Sequence, residues 1–346
     1  MMKDMKIGSV VVGEGRPTVT IAEAACEHMG SLEVAKCMVD AAKWAGADII
    51  KFQLHIPEEE MVRGAVKFWA GDLDEVLSRI NLPPEAHVEL MDYCKQVGIQ
   101  YLCTPFCAKA ADVLEEIGSP AFKIGSGEMT NLPMLRHIAK KDKPMIVSTG
   151  MATVEEIGET VATLREEGTQ FMLTHCTSEY PPKYEDINLG FIPRLREMFD
   201  VMVGHSDHTP DIWTALGAVA MGARVVEKHF TLDRYLKGPD QHVSLIPAEF
   251  KTMVEGIRKL EAALGSEKRV HAEEEPVRHW AHHSVVCLQD IPLGTAITGG
   301  MVGVKRPGWG IPAKYLDRLD GRRTRRSLPK GTILQWEDIE GTRLDG

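Results

Sequence analysis

Eight times in the first 230 residues an apolar, β-branched run ends on a polar residue: Glu23, Lys51, Thr104, Lys123, Ser148, His175, the Ser206 to His208 cluster, and His229. Lys51 and Lys123 would place ammonium groups against apolar surface, which is costly unless an anion pairs with them, so they predict a phosphate or carboxylate ligand. A structural ion pair is the competing reading. Ser126 in Gly125-Ser126-Gly127 and Ser148 in Ser148-Thr149-Gly150 add hydroxyls beside glycines, which let backbone donors approach an anion. A lone Gly-x-Gly is weak by itself, and no Rossmann or Walker pattern accompanies it. His208 in Ser206-Asp207-His208-Thr209 and His229 in Glu227-Lys228-His229-Phe230 fall on consecutive runs, close enough to share one metal ion. Two imidazoles with water and carboxylate oxygen suit manganese, cobalt, iron or magnesium-like ions better than a closed zinc site; two histidines that only hydrogen-bond are the bland alternative. Glu23, Glu128, Asp207 and Asp240 are the carboxylates for protons or sugar hydroxyls. Of 13 histidines, His28, His55, His175, His205, His208, His229 and His242 fall at or just beyond the ends of such runs.

The elements that must position these groups alternate. Strands are expected at 18–23, 48–53, 99–104, 121–124, 144–148, 170–175, 200–204 and 224–229, each followed by an amphipathic helix. Ser31 caps the first helix, Thr153 and Glu156 form a capping box on the fifth, and Pro247 opens the eighth. Eight strand-helix units predict a parallel (β/α)8 TIM barrel, whose chemistry sits at the carboxyl ends of the strands. Residues 6–17 read as a hairpin that plugs the floor, and 54–82 as a lid or insertion over the mouth.

A chain of 346 residues exceeds a bare barrel of about 250, so a second small domain is expected. The division is 1–265 for the barrel, 266–280 for a charged linker and 281–346 for a mostly-β domain. In that last region Ile291-Pro292-Leu293-Gly294-Thr295-Ala296-Ile297 recurs as Leu328-Pro329-Lys330-Gly331-Thr332-Ile333-Leu334, which is turn chemistry repeated. A net charge of -10 argues against nucleic acid, and the basic run Arg322 to Arg326 reads as a solvated face or subunit contact. The absence of a long apolar run or signal-like amino terminus predicts no membrane partner and a cytoplasmic protein. Seven singly scattered cysteines predict reduced thiols.

Ile21-Ala22-Glu23, Lys51-Phe52-Gln53, Thr104-Pro105-Phe106, Lys123 through Glu128, Ser148-Thr149-Gly150-Met151, Ser206 through Thr209, Glu227 through Thr231 and Gly238-Pro239-Asp240 follow one another as in N-acetylneuraminate (sialic acid) synthases. That family includes legionaminic and pseudaminic acid synthases. The tail, with Lys305-Arg306-Pro307-Gly308-Trp309-Gly310, resembles their antifreeze-like SAF domain. The resemblance implies condensation of phosphoenolpyruvate with the open-chain aldehyde of an N-acetylated amino sugar, with phosphate leaving by C–O cleavage. By the same resemblance Lys51, Thr104, Lys123, Ser126, Ser148 and Ser206 bind phosphoenolpyruvate, and Ser178 stands where some members carry asparagine. Gln53, Tyr180, Asp240 and Glu23 address the sugar, Glu23 also handling a proton. His208 and His229 hold a divalent ion, usually manganese, with magnesium or cobalt as alternatives. The family further implies a domain-swapped homodimer in which Arg306 reaches the sugar in the other subunit. Departures concern the acceptor: Glu27-His28-Met29-Gly30 replaces an amide by a carboxylate, His205 and His282-His283-Ser284 are atypical, and N-acetylmannosamine, its 6-phosphate and diacetamido-trideoxy hexoses all remain open. Two rival readings are a Schiff-base aldolase using Lys123 or Lys51 and a non-catalytic carbohydrate-binding homologue.

Overall fold

The computed structural model describes residues 3–68 and 71–341, and the chain divides into two compact units, Met1–Gly265 and Ser266–Gly346. In the first unit the apolar runs become eight parallel strands: β1 Val19–Ala25, β2 Ile49–Leu54, β3 Gln100–Pro105, β4 Phe122–Ile124, β5 Met145–Ser148, β6 Phe171–Cys176, β7 Val203–Asp207 and β8 Val225–His229. Parallel ladders join β1 to β2, β2 to β3, β4 through β8 in turn, and β8 back to β1. Contact between β3 and β4 completes the barrel. Helices α1 Leu32–Trp44, α2 Pro84–Val97, α3 Ala108–Glu116, α4 Leu132–Ala139, α5 Val154–Glu166, α6 Phe191–Phe199, α7 Trp213–Ala220 and α8 Pro247–Ala263 follow their strands. Ser31 Oγ accepts the Val34 N–H at 3.3 Å, and the Thr153–Glu156 capping box closes with bonds of 3.2 and 2.7 Å. Both caps satisfy helix-end donors that would otherwise lack partners.

The floor is sealed by an amino-terminal hairpin, Met5–Ile7 against Val10–Val12. Its Met5, Ile7 and Val12 pack on residues near the amino ends of the strands, among them Ile21, Ile49, Leu102 and Val225. With that end apolar and closed, polar side chains of the interior are confined to the opposite rim.

Two boundaries differ from expectation. The seventh strand runs later than 200–204, because Asp200, with φ of 44°, turns the chain out of α6, and the ladder begins only at Val203. Ser206 and Asp207 therefore lie inside the strand and face opposite ways. The insertion at 54–82 is a folded element: helix Pro57–Glu60, a short strand pair, and helix Leu73–Ile80, whose Val76, Leu77 and Ile80 pack on Cys26.

The second unit is a small β-rich body. Ser284–Cys287 pairs antiparallel with Val302–Lys305. The repeated motifs pair with each other, Ile291 and Leu328 exchanging two backbone hydrogen bonds of 2.8 Å. Gly294 and Gly331 take φ of 75° and 87°, the left-handed corner each turn requires. The stretch that reads as a linker contains a 3-10 turn, Ala272–Glu274, and a helix, Glu275–Ala281. All seven cysteines are free. No helix among the described residues is long and apolar enough to cross a membrane.

Candidate active site

Because alternate strand residues share a face, one inward position near the end of each strand builds the rim. Glu23 comes from β1, Lys51 and Gln53 from β2, Thr104 from β3, Lys123 from β4, Ser148 from β5, Cys176 from β6, Ser206 from β7, and Glu227 with His229 from β8. The following loops add Phe106, Ser126, Glu128, Ser178, Tyr180 and His208, and together these groups line a cavity of about 290 Å³. A wider cavity of about 690 Å³ adjoins it, sharing Met151, Cys176 and Ser178. Ammonium, carboxylate and imidazole groups converge in the smaller one, so the chemistry is assigned there.

At its centre two lysines interlock with two glutamates. Lys51 Nζ lies 2.6 Å from Glu23 Oε2 and 3.6 Å from Glu227 Oε1, and Lys123 Nζ lies 3.4 Å from the same Glu227 oxygen. All four side chains are buried. Burial raises the Glu23 carboxyl to about 7, against the opposing pull of Lys51. Burial would also raise Glu227, but Lys123 and Lys51 outweigh it and hold that carboxyl below its ordinary value. For Lys51, desolvation is overcome by Glu227 and Glu23, and the ammonium is stabilised. Glu23 Oε2 is taken up by Lys51, whereas Glu227 Oε2 has no hydrogen-bond partner, so the cluster keeps acceptor capacity there.

Beside Lys123 is a hydroxyl cradle. Ser126 Oγ donates to Ser148 Oγ at 2.9 Å and accepts the Gly150 N–H at 3.1 Å. A Cβ on Gly150 would sit 2.2 Å from Ser178 Oγ and 2.7 Å from Ser126 Oγ, so a side chain there would displace both hydroxyls. Lys51 also donates to Thr104 Oγ1 at 3.0 Å. Two ammonium groups flanked by small hydroxyls form a site for a compact polyanion.

His208 and His229 meet across the cavity with ring centroids 5.2 Å apart. His208 Nδ1 donates to the Thr177 carbonyl at 2.8 Å, leaving Nε2 its lone pair. His229 Nδ1 is buried without a hydrogen-bond partner, 3.8 Å from Asp240 Oδ2. Desolvation lowers His208 to about 4 and His229 well below its usual value, so both rings are neutral, as metal ligation requires. Among the described residues no group of three or more His, Cys, Asp or Glu side chains converges as a metal cage. The pair therefore fits an open divalent site completed by solvent or substrate. Tyr180 stacks on His208 at 4.0 Å between centroids.

Asp240 lies beside His229, and burial raises its carboxyl to about 6. Its backbone N–H donates to Glu27 Oε1 at 2.7 Å. Glu27, the carboxylate replacing an amide, thus grips the loop after β8 and is not among the residues lining the cavity. Burial raises it to about 7. Glu128 lines the opposite wall, also raised to about 7 by burial.

Of the sequence-derived site residues within the barrel unit, Asp207 and Asp240 are not among those lining this cavity. Asp207, expected to act catalytically, faces outward because Ser206 takes the inward position. It lies 3.0 Å from Lys228 Nζ and accepts from Thr214 Oγ1 at 2.5 Å and the Thr209 N–H at 2.8 Å. Arg306 belongs to the second unit, where its guanidinium stacks 5.4 Å from the Trp280 ring. His175 and His205 likewise bond backbone carbonyls of Ile187 and His175. Glu227 is the charged lining residue that the sequence leaves out of the site, with Phe106, Met151 and Cys176 the uncharged side chains. The period of two, applied backwards from His229, is the signal that finds it.

A parallel barrel with a polyanion cradle, paired acids and an imidazole pair at the carboxyl rim defines an anion-handling barrel enzyme. A family model described as the NeuB family matches residues 38–269, and one described as the SAF domain matches 282–340. The chain belongs to the NeuB family of sialic and related nonulosonic acid synthases, with a TIM-type barrel and a SAF domain. It is 40% identical over 98% of its length to all of an uncharacterized protein of Methanocaldococcus jannaschii. It is 37% identical to the N,N'-diacetyllegionaminic acid synthase of Legionella pneumophila, covering 95% of this chain and 96% of that one. The solved N-acetylneuraminic acid synthetase of Leptospira borgpetersenii, in complex with citrate, superposes with a TM-score of 0.72 and 31% identity, over 80% of this chain and 95% of that one.

Proposed function

We propose that the protein condenses phosphoenolpyruvate and water with the open-chain aldehyde of an unphosphorylated N-acetylated amino sugar: C3 of phosphoenolpyruvate bonds the aldehyde carbon, water adds at C2, and phosphate leaves by C–O cleavage to give a nonulosonic acid. The observation that carries this reading is the buried Lys51, Lys123, Glu23 and Glu227 cluster between a hydroxyl cradle and an imidazole pair. Lys51 and Lys123 hold the phosphate and carboxylate of phosphoenolpyruvate, with Thr104, Ser126, Ser148, Ser178 and Ser206 supplying hydroxyls and Gly150 a backbone neighbour. Gln53, Tyr180 and Asp240 orient the acceptor. Glu23, poised near neutrality, takes or gives a proton at the acceptor oxygen, and Glu128 is a second acid lining the cavity. A divalent ion on His208 and His229, with manganese the first choice and magnesium or cobalt as alternatives, would supply polarisation of the aldehyde.

Among the lining residues Lys51 and Lys123 are the cations, and both are engaged by carboxylates. With both lining cations so engaged, none is left for a sugar phosphate, which favours N-acetylmannosamine or a diacetamido-trideoxy hexose as acceptor. The same pairing speaks against a Schiff-base aldolase, which needs a neutral amine. The proposal includes a homodimer in which Arg306 reaches the partner's acceptor, and a cytoplasmic setting, where phosphoenolpyruvate is made.

The test is phosphate release from phosphoenolpyruvate with N-acetylmannosamine, its 6-phosphate and the two diacetamido-trideoxy hexoses, with and without chelator. Chelator-sensitive release with an unphosphorylated acceptor is expected. Release only with the 6-phosphate would overturn the acceptor reading, and silence from a folded, metal-loaded sample would overturn the reaction.

A further inference from the structure

The insertion between β2 and α2 is built around one side chain. His55 follows β2 immediately. Its backbone N–H donates to Asn81 Oδ1 at 3.3 Å and its carbonyl accepts from Asn81 Nδ2 at 2.7 Å, so the far end of the insertion returns to hold the near end. Glu60, ending the helix Pro57–Glu60, folds back: one carboxylate oxygen accepts the Ile56 N–H at 2.5 Å, and the other lies 3.0 Å from His55 Nδ1. Phe106 stacks on the imidazole with centroids 4.1 Å apart. The His55 and Glu60 side chains are only 6% and 5% exposed, which shields this contact from water.

From the other ring nitrogen the connection runs into the active site. His55 Nε2 lies 3.1 Å from Gln53 Oε1, Gln53 Nε2 donates to Glu23 Oε1 at 2.9 Å, and Glu23 Oε2 lies 2.6 Å from Lys51 Nζ. Gln53 and Glu23 line the cavity, whereas His55 and Glu60 are not among its lining residues. An amide offers an acceptor at one end and donors at the other, so a group that engages its oxygen dictates where its N–H points. An imidazole can do this only if its own rotation is fixed, which Glu60 and Phe106 accomplish.

We propose that His55 and Glu60 are positioning residues for the reaction, holding the Gln53 amide so that it donates to Glu23 and aims that carboxylate at the acceptor. The inference rests on the reading of the cavity as a synthase site. It differs from a mere staple between insertion and barrel in what it moves. A staple changes stability alone. A positioning chain changes acceptor turnover and leaves the Lys123, Ser126 and Ser148 part of the phosphoenolpyruvate cradle, on β4, β5 and the loop between them, as it was.

The experiment uses the full, metal-loaded chain and whichever acceptor the wild type turns over. Glu60→Ala, Glu60→Gln, His55→Asn, Gln53→Ala and the Glu60→Ala/Gln53→Ala double variant are compared by phosphate release and thermal midpoint. Glu60→Ala and His55→Asn are expected to lower kcat/KM for the acceptor about tenfold or more, with KM for phosphoenolpyruvate within about twofold. Glu60→Gln, which keeps an acceptor oxygen, recovers most of the loss, and the double variant is no slower than Gln53→Ala alone. Loss of thermal stability without loss of acceptor kcat/KM would overturn the proposal, as would multiplicative losses in the double variant. A wild type silent with every acceptor indicts the reaction instead. The chain is then decided by the same cycle in thermal stability, where coupling between Glu60 and Gln53 supports it and strict additivity sinks it.

Discussion

The two ends of the barrel are made from the same strands, two residues apart. Ile21, Ile49, Leu102, Ala121, Ile146 and Val225 line the floor, and Glu23, Lys51, Thr104, Lys123, Ser148 and Glu227 follow them on the same inward faces at the rim. The floor is fully apolar and closed by the hairpin. The rim buries two ammonium groups, two carboxylates and two neutral imidazoles, and it leaves Glu227 and His229 each with an unpartnered polar atom. Such groups weaken a fold, so their concentration at one end marks where stability has been given over to binding.

The sharpest way to break this comparison is at the rim. Lys123→Ala or His229→Ala is expected to lower turnover by about a thousandfold or more while the protein stays folded, measured by phosphate release and circular dichroism. Substantial activity in either variant would remove the rim from the chemistry. Asp207, on the rim but facing outward, should behave in the opposite way: Asp207→Ala leaves Lys228 buried and unpaired, destabilising the barrel by about 3–5 kcal/mol with acceptor and phosphoenolpyruvate KM unchanged. A shifted KM would restore it to the site. At the floor, Leu102→Ala opens a cavity under the hairpin, with an expected cost of about 2–5 kcal/mol in denaturant unfolding and no change in kcat of the folded fraction.

The smallest effect separates the loop clamp from the cavity. Glu27 has its folded-state carboxyl raised to about 7 from 4.5, so the fold favours its protonated form. Stability from this group is present below the unfolded value and lost as pH rises through the folded one. Glu27→Gln cannot ionise. Relative to wild type it should gain stability between pH 5 and pH 8, by about 3 kcal/mol at most. A stability difference that does not change with pH would show that Glu27 is not titrating in the fold.

Much of this was legible in advance where the local pattern is strong. Apolar runs ending in polar residues located all eight strands, and caps such as Ser31 and Thr153 located helix starts, because these signals lie within a few residues of one another. Asp207 shows the limit. Its place depended on where the ladder of β7 began, and a one-residue choice of face separates a site residue from an outward ion pair. Glu227 is hidden for the same reason: it shares an inward face with His229 only once the register of that strand is fixed. The insertion was recognised as something more than a loop, yet nothing in its sequence spacing announced that Glu60 would turn back to His55.

By itself, the sequence determined the barrel, the second β-rich unit with its paired turns, the family, and the chemical inventory of lysines, hydroxyls and imidazoles at one rim. Those follow from periodicity and residue type, which are local. Only the tertiary structure decided which carboxylates face the lysines, that Glu27 holds a backbone instead of a ligand, and that Gln53 is oriented from outside the cavity. Each of these depends on distances of a few ångströms between residues far apart in the chain, and Coulomb and hydrogen-bond energies are set by those distances.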